Sequence, residues 1–374
     1  MPEQNTYKQR RERIYDWMAR GNITMVMLED AEGRRDSNIR WLSGQPGDAL
    51  LFLSVERKSL LVPWDINLAK IYADADHIFA YADFDRMPIK ACRKAADFFR
   101  LPADSKIELP PETSYPRFLK FIEALGEFDL LCRDEGVSPE LEKLRSVKDD
   151  AEIDLYRGAA AVTDELIDAL EKLLRQGKLK TETDAAVFIE TESRKRGCEG
   201  TGFETLAAGP SRSFAIHAFP AYSGERFGGK GLSILDFGLA CSGYTTDVTL
   251  TVARDLSKAQ EKLLALVEKA HKLALSKLKP GTPAADVASA VDAVFAKAGR
   301  AMPHALGHGI GLDPHEGPAM RNRNDNHWVI EPGMVIAVEP GLYDPLLGGC
   351  RLENDVLITE NGVEPLTHSR IIRL

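Results

Sequence analysis

The chain has 374 residues, with 48 Lys and Arg against 57 Asp and Glu, a formal charge of −9, and 44% apolar, 28% charged and 7% aromatic side chains. That composition supports globular cores in two domains and excludes a disordered or fibrous chain. An acidic chain without a long Lys/Arg run lacks the basic face that nucleic acid or an anionic membrane would require, so neither is an expected partner. The charged first twenty residues lack the apolar core of a signal peptide, and no window reaches the ~18 apolar residues of a membrane span. Five scattered cysteines without a C-x-x-C pair predict neither a disulfide framework nor a thiolate zinc site, and a reduced, cytoplasmic protein is the expectation.

Taken in chain order, the apolar runs Ile23–Leu28, Ala49–Val55, Ser59–Val62, Lys106–Leu109 and Phe128–Cys132 read as strands. Helical stretches such as Pro88–Arg100 and Pro116–Leu125 lie between them, which predicts an α/β layer on a parallel or mixed sheet. A charged segment near residue 145 then leads into a long Ala- and Leu-rich helix, so we expect domains at 1–145 and 146–374.

The second domain reads as an internal repeat. A long helix (149–176), a cap at Thr181, a helix ending at Gly197, and strands carrying Asp236 and Asp247 are followed by a long helix (256–279), a cap at Thr282-Pro283, a helix ending at Gly299, and strands carrying Glu339 and Glu353. Two similar halves, each delivering a pair of carboxylates, would result.

Centring a hairpin between Cys241 and Ser242 sets Asp236 opposite Asp247, and Glu339 and Glu353 are symmetric about Leu346. Both pairs sit in otherwise apolar runs, where facing carboxylates are costly unless a cation lies between them. Between the pairs lies P-H-A-L-G-H-G-I-G-L-D-P-H-E (303–316), whose glycines argue against a helix and predict that His304, His308 and His315 converge from a loop. His217 in S-F-A-I-H-A-F-P has a similar setting.

D-F-G, Y-T-T-D-V-T, H-A-L-G-H-G-I-G-L-D-P-H-E, V-E-P-G and G-G-C-R-L-E-N-D-V-L-I-T, in this order over about 140–370, resemble the pita-bread metallopeptidases of the prolidase and aminopeptidase P branch. S-N-I-R-W-L-S-G (37–44) resembles that branch's early signature. The resemblance implies an α+β fold, with a C-terminal pita-bread (creatinase/aminopeptidase-like) domain of pseudo-two-fold repeat behind a smaller α/β creatinase-type domain. It further implies that Asp236, Asp247, His308, Glu339 and Glu353 bind two divalent metals, surrounded by His217, His304, His315 and Arg351, in a homodimer that hydrolyses Xaa-Pro bonds in small proline-containing peptides. The oxygen-rich donor set suits Mn²⁺, Co²⁺, Fe²⁺ or Zn²⁺, with manganese preferred, and a pair of such ions would ionise water at neutral pH. Glu339 would then move protons, while His217 and His315 stabilise the oxyanion or hold the substrate. His304 and Arg351 would lie around the ligands, where Arg351 could orient a carboxylate.

Leu250 and Asn354 depart from the family's usual Arg and Asp; neither position is a ligand. Gly224–Lys230 fits G-x-x-x-x-G-K, but Gly231 replaces Ser/Thr and a strand pattern follows, so a phosphate loop is not expected. G-P-S-R-S (209–213) lacks the second glycine of a serine-hydrolase elbow. Within the fold, a creatinase-like hydrolase or lyase, or a metal-free binding module, competes with the peptidase, although creatinase-like enzymes lack the five ligands. A prolidase-like dipeptidase is favoured over an aminopeptidase P acting on longer peptides, with Arg321, Arg323 or Arg212 as candidate partners for a terminal carboxylate.

Overall fold

The structure, a computed structural model, describes residues 4–374. Its contacts divide into one unit up to Leu144 and a second from Arg145 to Leu374.

The first unit contains α1 (Gln4–Gly21), β1 (Met25–Asp30), α2 (Ser37–Ser43), β2 (Ala49–Ser54), β3 (Lys58–Pro63), α3 (Ile66–Tyr72), β4 (His77–Ile78), α4 (Pro88–Phe99), β5 (Lys106–Glu108), α5 (Tyr115–Ala124) and β6 (Asp129–Leu131), and α6 (Val137–Ser146) runs across the division. The strands form one sheet in the order β4-β3-β2-β1-β5-β6. The β1/β2 and β2/β3 pairs are antiparallel and the others parallel. This is the mixed sheet predicted from the apolar runs; β4, two residues long, carries too short a pattern to read. One face packs Met25, Phe52, Leu60 and Ile107 against Ala91, Ala95 and Ala96 of α4 and Phe121 of α5. The segment 37–44 is a capped helix: Asp36 accepts the Asn38 N–H, and Gly44 ends it at φ 76°. A Cβ at Gly44 would lie 2.6 Å from the Tyr72 carbonyl, so glycine is required both for the turn and for the close approach.

In the second unit, α7 (Asp150–Arg175) and α8 (Glu182–Lys195) precede β7 (Gly200–Thr201), β8 (Leu206–Ala208), β9 (Gly231–Phe237), β10 (Leu239–Cys241), β11 (Tyr244–Thr245) and β12 (Val248–Arg254). Then α9 (Lys258–Lys277) and α10 (Ala284–Lys297) precede β13 (Gly307–Gly309), β14 (Glu316–Met320), β15 (Val335–Val338), β16 (Gly341–Asp344), β17 (Gly348–Arg351), β18 (Asn354–Thr359), β19 (Gly362–Pro365) and β20 (Ile371–Arg373). Two helices followed by antiparallel strands therefore occur twice. The first set builds β12-β9-β8, to whose edge β20 from the end of the second set adds in parallel, and the rest of the second builds β14-β13-β15-β18-β19. Capping boxes start α7 (Asp149/Glu152) and α8 (Thr181/Asp184), and Gly197 and Gly299 follow their helices with positive φ. Thr282 is not the cap expected of it: α10 starts from Pro283 without a side-chain cap.

One cysteine expectation is corrected. Cys198 and Cys241 form a disulfide. They lie 43 residues apart, and β7 pairing with β10 brings them together through Thr201↔Leu239 and Gly200↔Ala240. Wide spacing in sequence therefore concealed closeness in the sheet. Cys92, Cys132 and Cys350 are free. Thiol titration of protein denatured without reductant is expected to count three thiols, and five after reduction; five in both samples would contradict the bridge. No described helix is long and apolar enough to cross a membrane.

Candidate metal centre

Asp236 is the penultimate residue of β9, which pairs with β12. The register pairs it with Thr249, not Asp247. The reason is the turn: Ser242 (φ 53°) and Gly243 (φ 88°) are both left-handed and form the two-residue loop that joins β10 to β11. The hairpin thus centres one residue later than expected, and Asp247 becomes a diagonal neighbour of Asp236, still within reach of a shared ligand.

In the second half the register follows the symmetry of the sequence. Val338 pairs with Asn354 and Gly341 with Arg351, so Glu339 and Glu353 stand opposite each other at the ends of β15 and β18. Thr249 joins the halves through an isolated bridge to Glu353. Its hydroxyl donates to Glu353 Oε2 at 2.6 Å and accepts from Arg351 Nε at 2.8 Å. Asp236, Thr249, Glu353 and Glu339 therefore form one row across the two sheets.

His308 lies on β13, a strand between β14 and β15, rather than on the expected loop. Glycine permits this, because a Cβ at Gly307 or Gly309 would collide with the carbonyl of Ala337 or Gly317 on the flanking strands. His308 Nδ1 lies 3.0 Å from its acceptor, the Gly309 carbonyl, which leaves Nε2 unprotonated. Nε2 is 3.7 Å from Asp247 Oδ2 and 3.9 Å from Glu339 Oε1. Ligand atoms of Asp247, His308 and Glu353 all fall within 4.8 Å of one another.

Burial dominates the electrostatics. It pushes the carboxyls of Asp247 and Glu339 well up, with Glu353 adding repulsion to each, and raises Glu353 to about 7. It raises Asp236 as well, against the pull of Arg351. Burial also lowers His304 and His308 to about 4, so both imidazoles are neutral. Arg351, 2% exposed, contacts Asp236 and holds the Tyr343 hydroxyl at 2.9 Å. Tyr343 is then free to donate to His304 Nε2 at 3.0 Å, while His304 Nδ1–H donates to the Ala305 carbonyl at 2.8 Å. His308 and His315 rings lie 4.2 Å apart between centroids. His217 and His315 are exposed, and His217 acts electrostatically on Asp236, His304 and His315.

Of the three candidate arginines, Arg212 pairs with buried Glu182 at 2.6 Å and Arg323 with Asp325 at 2.9 Å. Arg321 is exposed and acts electrostatically on His308 and His315. Sequence reasoning missed Asp355, fully buried, whose Oδ2 accepts the Asp247 N–H at 2.9 Å and lies 3.1 Å from the Tyr156 hydroxyl. The signal was present, since 351, 353 and 355 alternate onto one strand face.

Dications fit this donor set. Asp236 Oδ1 and Asp247 Oδ1 are buried without hydrogen-bond partners, and four carboxylates converge on a region where Arg351 is the cation in bonding contact. Charges so placed require compensation. The sequence model of metallopeptidase family M24 matches residues 154–360, which include every one of these groups. The chain belongs to metallopeptidase family M24. Among M24 relatives it is 27% identical to an Xaa-Pro dipeptidase of Pyrococcus horikoshii over 95% of each chain. Similar solved structures include an Xaa-Pro dipeptidase from Bacillus anthracis (25% identity, TM-score 0.85, 98% and 100% of the two chains). An X-Pro aminopeptidase from Thermotoga maritima is similar too (26% identity, TM-score 0.83, 97% and 99%). The fold is thus the pita-bread arrangement of M24 peptidases, and the chain is a hydrolase with prolidase-like relatives.

Proposed function

We propose that this M24 peptidase hydrolyses the Xaa-Pro bond of dipeptides, using two divalent ions, preferably manganese, held by Asp236, Asp247, His308, Glu339 and Glu353. The observation that carries the reading is the set of converging carboxylates, those of Asp236 and Asp247 with unpartnered buried oxygens, beside the free Nε2 of His308. The ions would supply Lewis acidity toward the scissile carbonyl and lower the pKa of water. Glu339 accepts the proton of the attacking water and returns it to the proline nitrogen, which lacks an N–H and must be protonated to leave. His217 and His315, on the exposed side, donate to the developing oxyanion. His304 and Arg351, tied together through Tyr343, hold the geometry of Asp236 and Glu339. Arg321, which has no ion-pair partner among the described residues, is the cation available to a terminal proline carboxylate. Such peptides, and a second copy of the chain in a homodimer, are the partners this reading entails.

The test is hydrolysis of Ala-Pro, Ala-Pro-Ala-Ala and Ala-Ala by metal-free protein with each metal restored. Manganese is expected to restore Ala-Pro cleavage, with the tetrapeptide at least roughly tenfold slower for want of a carboxylate at the Arg321 position. Preference for the tetrapeptide would replace the dipeptidase with an aminopeptidase P. Failure to cleave either Xaa-Pro peptide would overturn the reading.

A further inference from the structure

The G-E-R-F-G-G-K segment, dismissed as a phosphate loop, lines a cavity of about 510 Å³ to which no residue of the carboxylate centre contributes. As expected, a strand follows it, β9, and no helix. Its backbone does not cradle an anion, because the Phe227 N–H is spent on the Lys180 carbonyl and the Gly228 N–H on Ser233 Oγ. The pairing of residues 180–183 with 223–227 instead sets side chains around the opening. Lys180 and Arg226, both exposed, line it together with Arg254 at the end of β12 and Leu374, and no acidic side chain is in the lining. Lys180 acts electrostatically on Asp184, whereas neither Arg226 nor Arg254 has an ion-pair partner among the described residues, and Arg254 Nε is buried without any hydrogen-bond partner. Leu174, Leu179 and Phe227 supply an apolar wall.

Arg226 and Arg254, on one cavity without an acid paired to either, repel each other, and an orphaned guanidinium N–H costs stability; an anion relieves both. We propose that this cavity binds a small organic phosphomonoester, its dianionic head against Lys180, Arg226 and Arg254 and its apolar body against Leu174, Leu179 and Phe227. A doubly charged head matches the two unpaired guanidinium groups better than a single carboxylate does. The site is separate from the metal centre: Asp247 immediately precedes β12 and Arg254 ends it, seven residues or about 23 Å of extended strand apart.

The test is calorimetric titration of the metal-loaded full chain with phenyl phosphate, at low salt and again at about 0.3 M NaCl. Wild type is expected to bind at submillimolar concentration and more weakly in salt. The Lys180→Gln/Arg226→Gln variant, altered only at exposed positions, is expected to bind at least roughly tenfold more weakly, with unchanged peptidase activity. Arg254→Gln should likewise weaken binding. Absence of binding by wild type up to about 10 mM, or equal affinity in wild type and the double variant, as for a phosphate held at the metal centre, overturns the proposal.

Discussion

Asp247→Asn is expected to lower kcat/KM for Ala-Pro by roughly 10³-fold or more, about 4 kcal/mol of transition-state stabilisation, because an amide cannot replace the anionic ligand. The fold should survive. The Asp247 backbone N–H keeps its bond to Asp355, and the substitution removes a charge that burial, Glu353, Asp236, Asp355 and Glu339 all disfavour. Metal-free variant should therefore melt no lower than metal-free wild type at pH 8, while losing most of the rise in melting temperature that manganese gives wild type. Wild-type turnover in the variant would remove Asp247 from the centre. A variant that unfolds would show that the carboxylate serves the fold instead.

Removing the metal is expected to abolish hydrolysis and to make stability depend on pH in a direction set by the raised carboxyls. An unfolded carboxyl titrates near 4, whereas folded Glu353 titrates at about 7 and Asp236, Asp247 and Glu339 are raised too. Between those values the folded state holds more protons, so these groups reduce the stability of the metal-free protein as pH rises from 4 through 7. Bound ions neutralise the same carboxylates and remove the penalty. Acids with lowered pKa, such as Glu316 between Arg145 and Lys148, contribute alike to both forms and cancel in the difference. The gap in melting temperature between manganese-loaded and metal-free protein should widen by at least about 5 °C from pH 5.5 to pH 8. An equal gap at both pH values would show that the carboxylates do not bind the ions.

The legible parts of this protein are those in which periodicity and burial agree. The first unit's strands could be read because their apolar runs are short, β-branched or Leu-rich, and separated by amphipathic helices. The Glu339/Glu353 register could be read because a Pro- and Gly-flanked loop has a single natural centre. Cys241-Ser242-Gly243-Tyr244 has two, and the choice depends on Ser242 adopting a left-handed conformation that its side chain does not announce. His308 looked like a loop residue because glycine is the usual mark of a turn, whereas here it admits neighbouring strands. Asp355 and the Cys198–Cys241 bridge depend on contacts between strands distant in sequence, which local pattern does not encode.

The central claim is that the converging carboxylates of the second unit exist to share a pair of dications. It is tested most directly by anomalous diffraction at the manganese edge from crystals of the full chain soaked in manganese. Two peaks within coordinating distance of Asp236, Asp247, His308, Glu339 and Glu353 are expected. Density in which these side chains turn apart, with no anomalous peak among them, would contradict it.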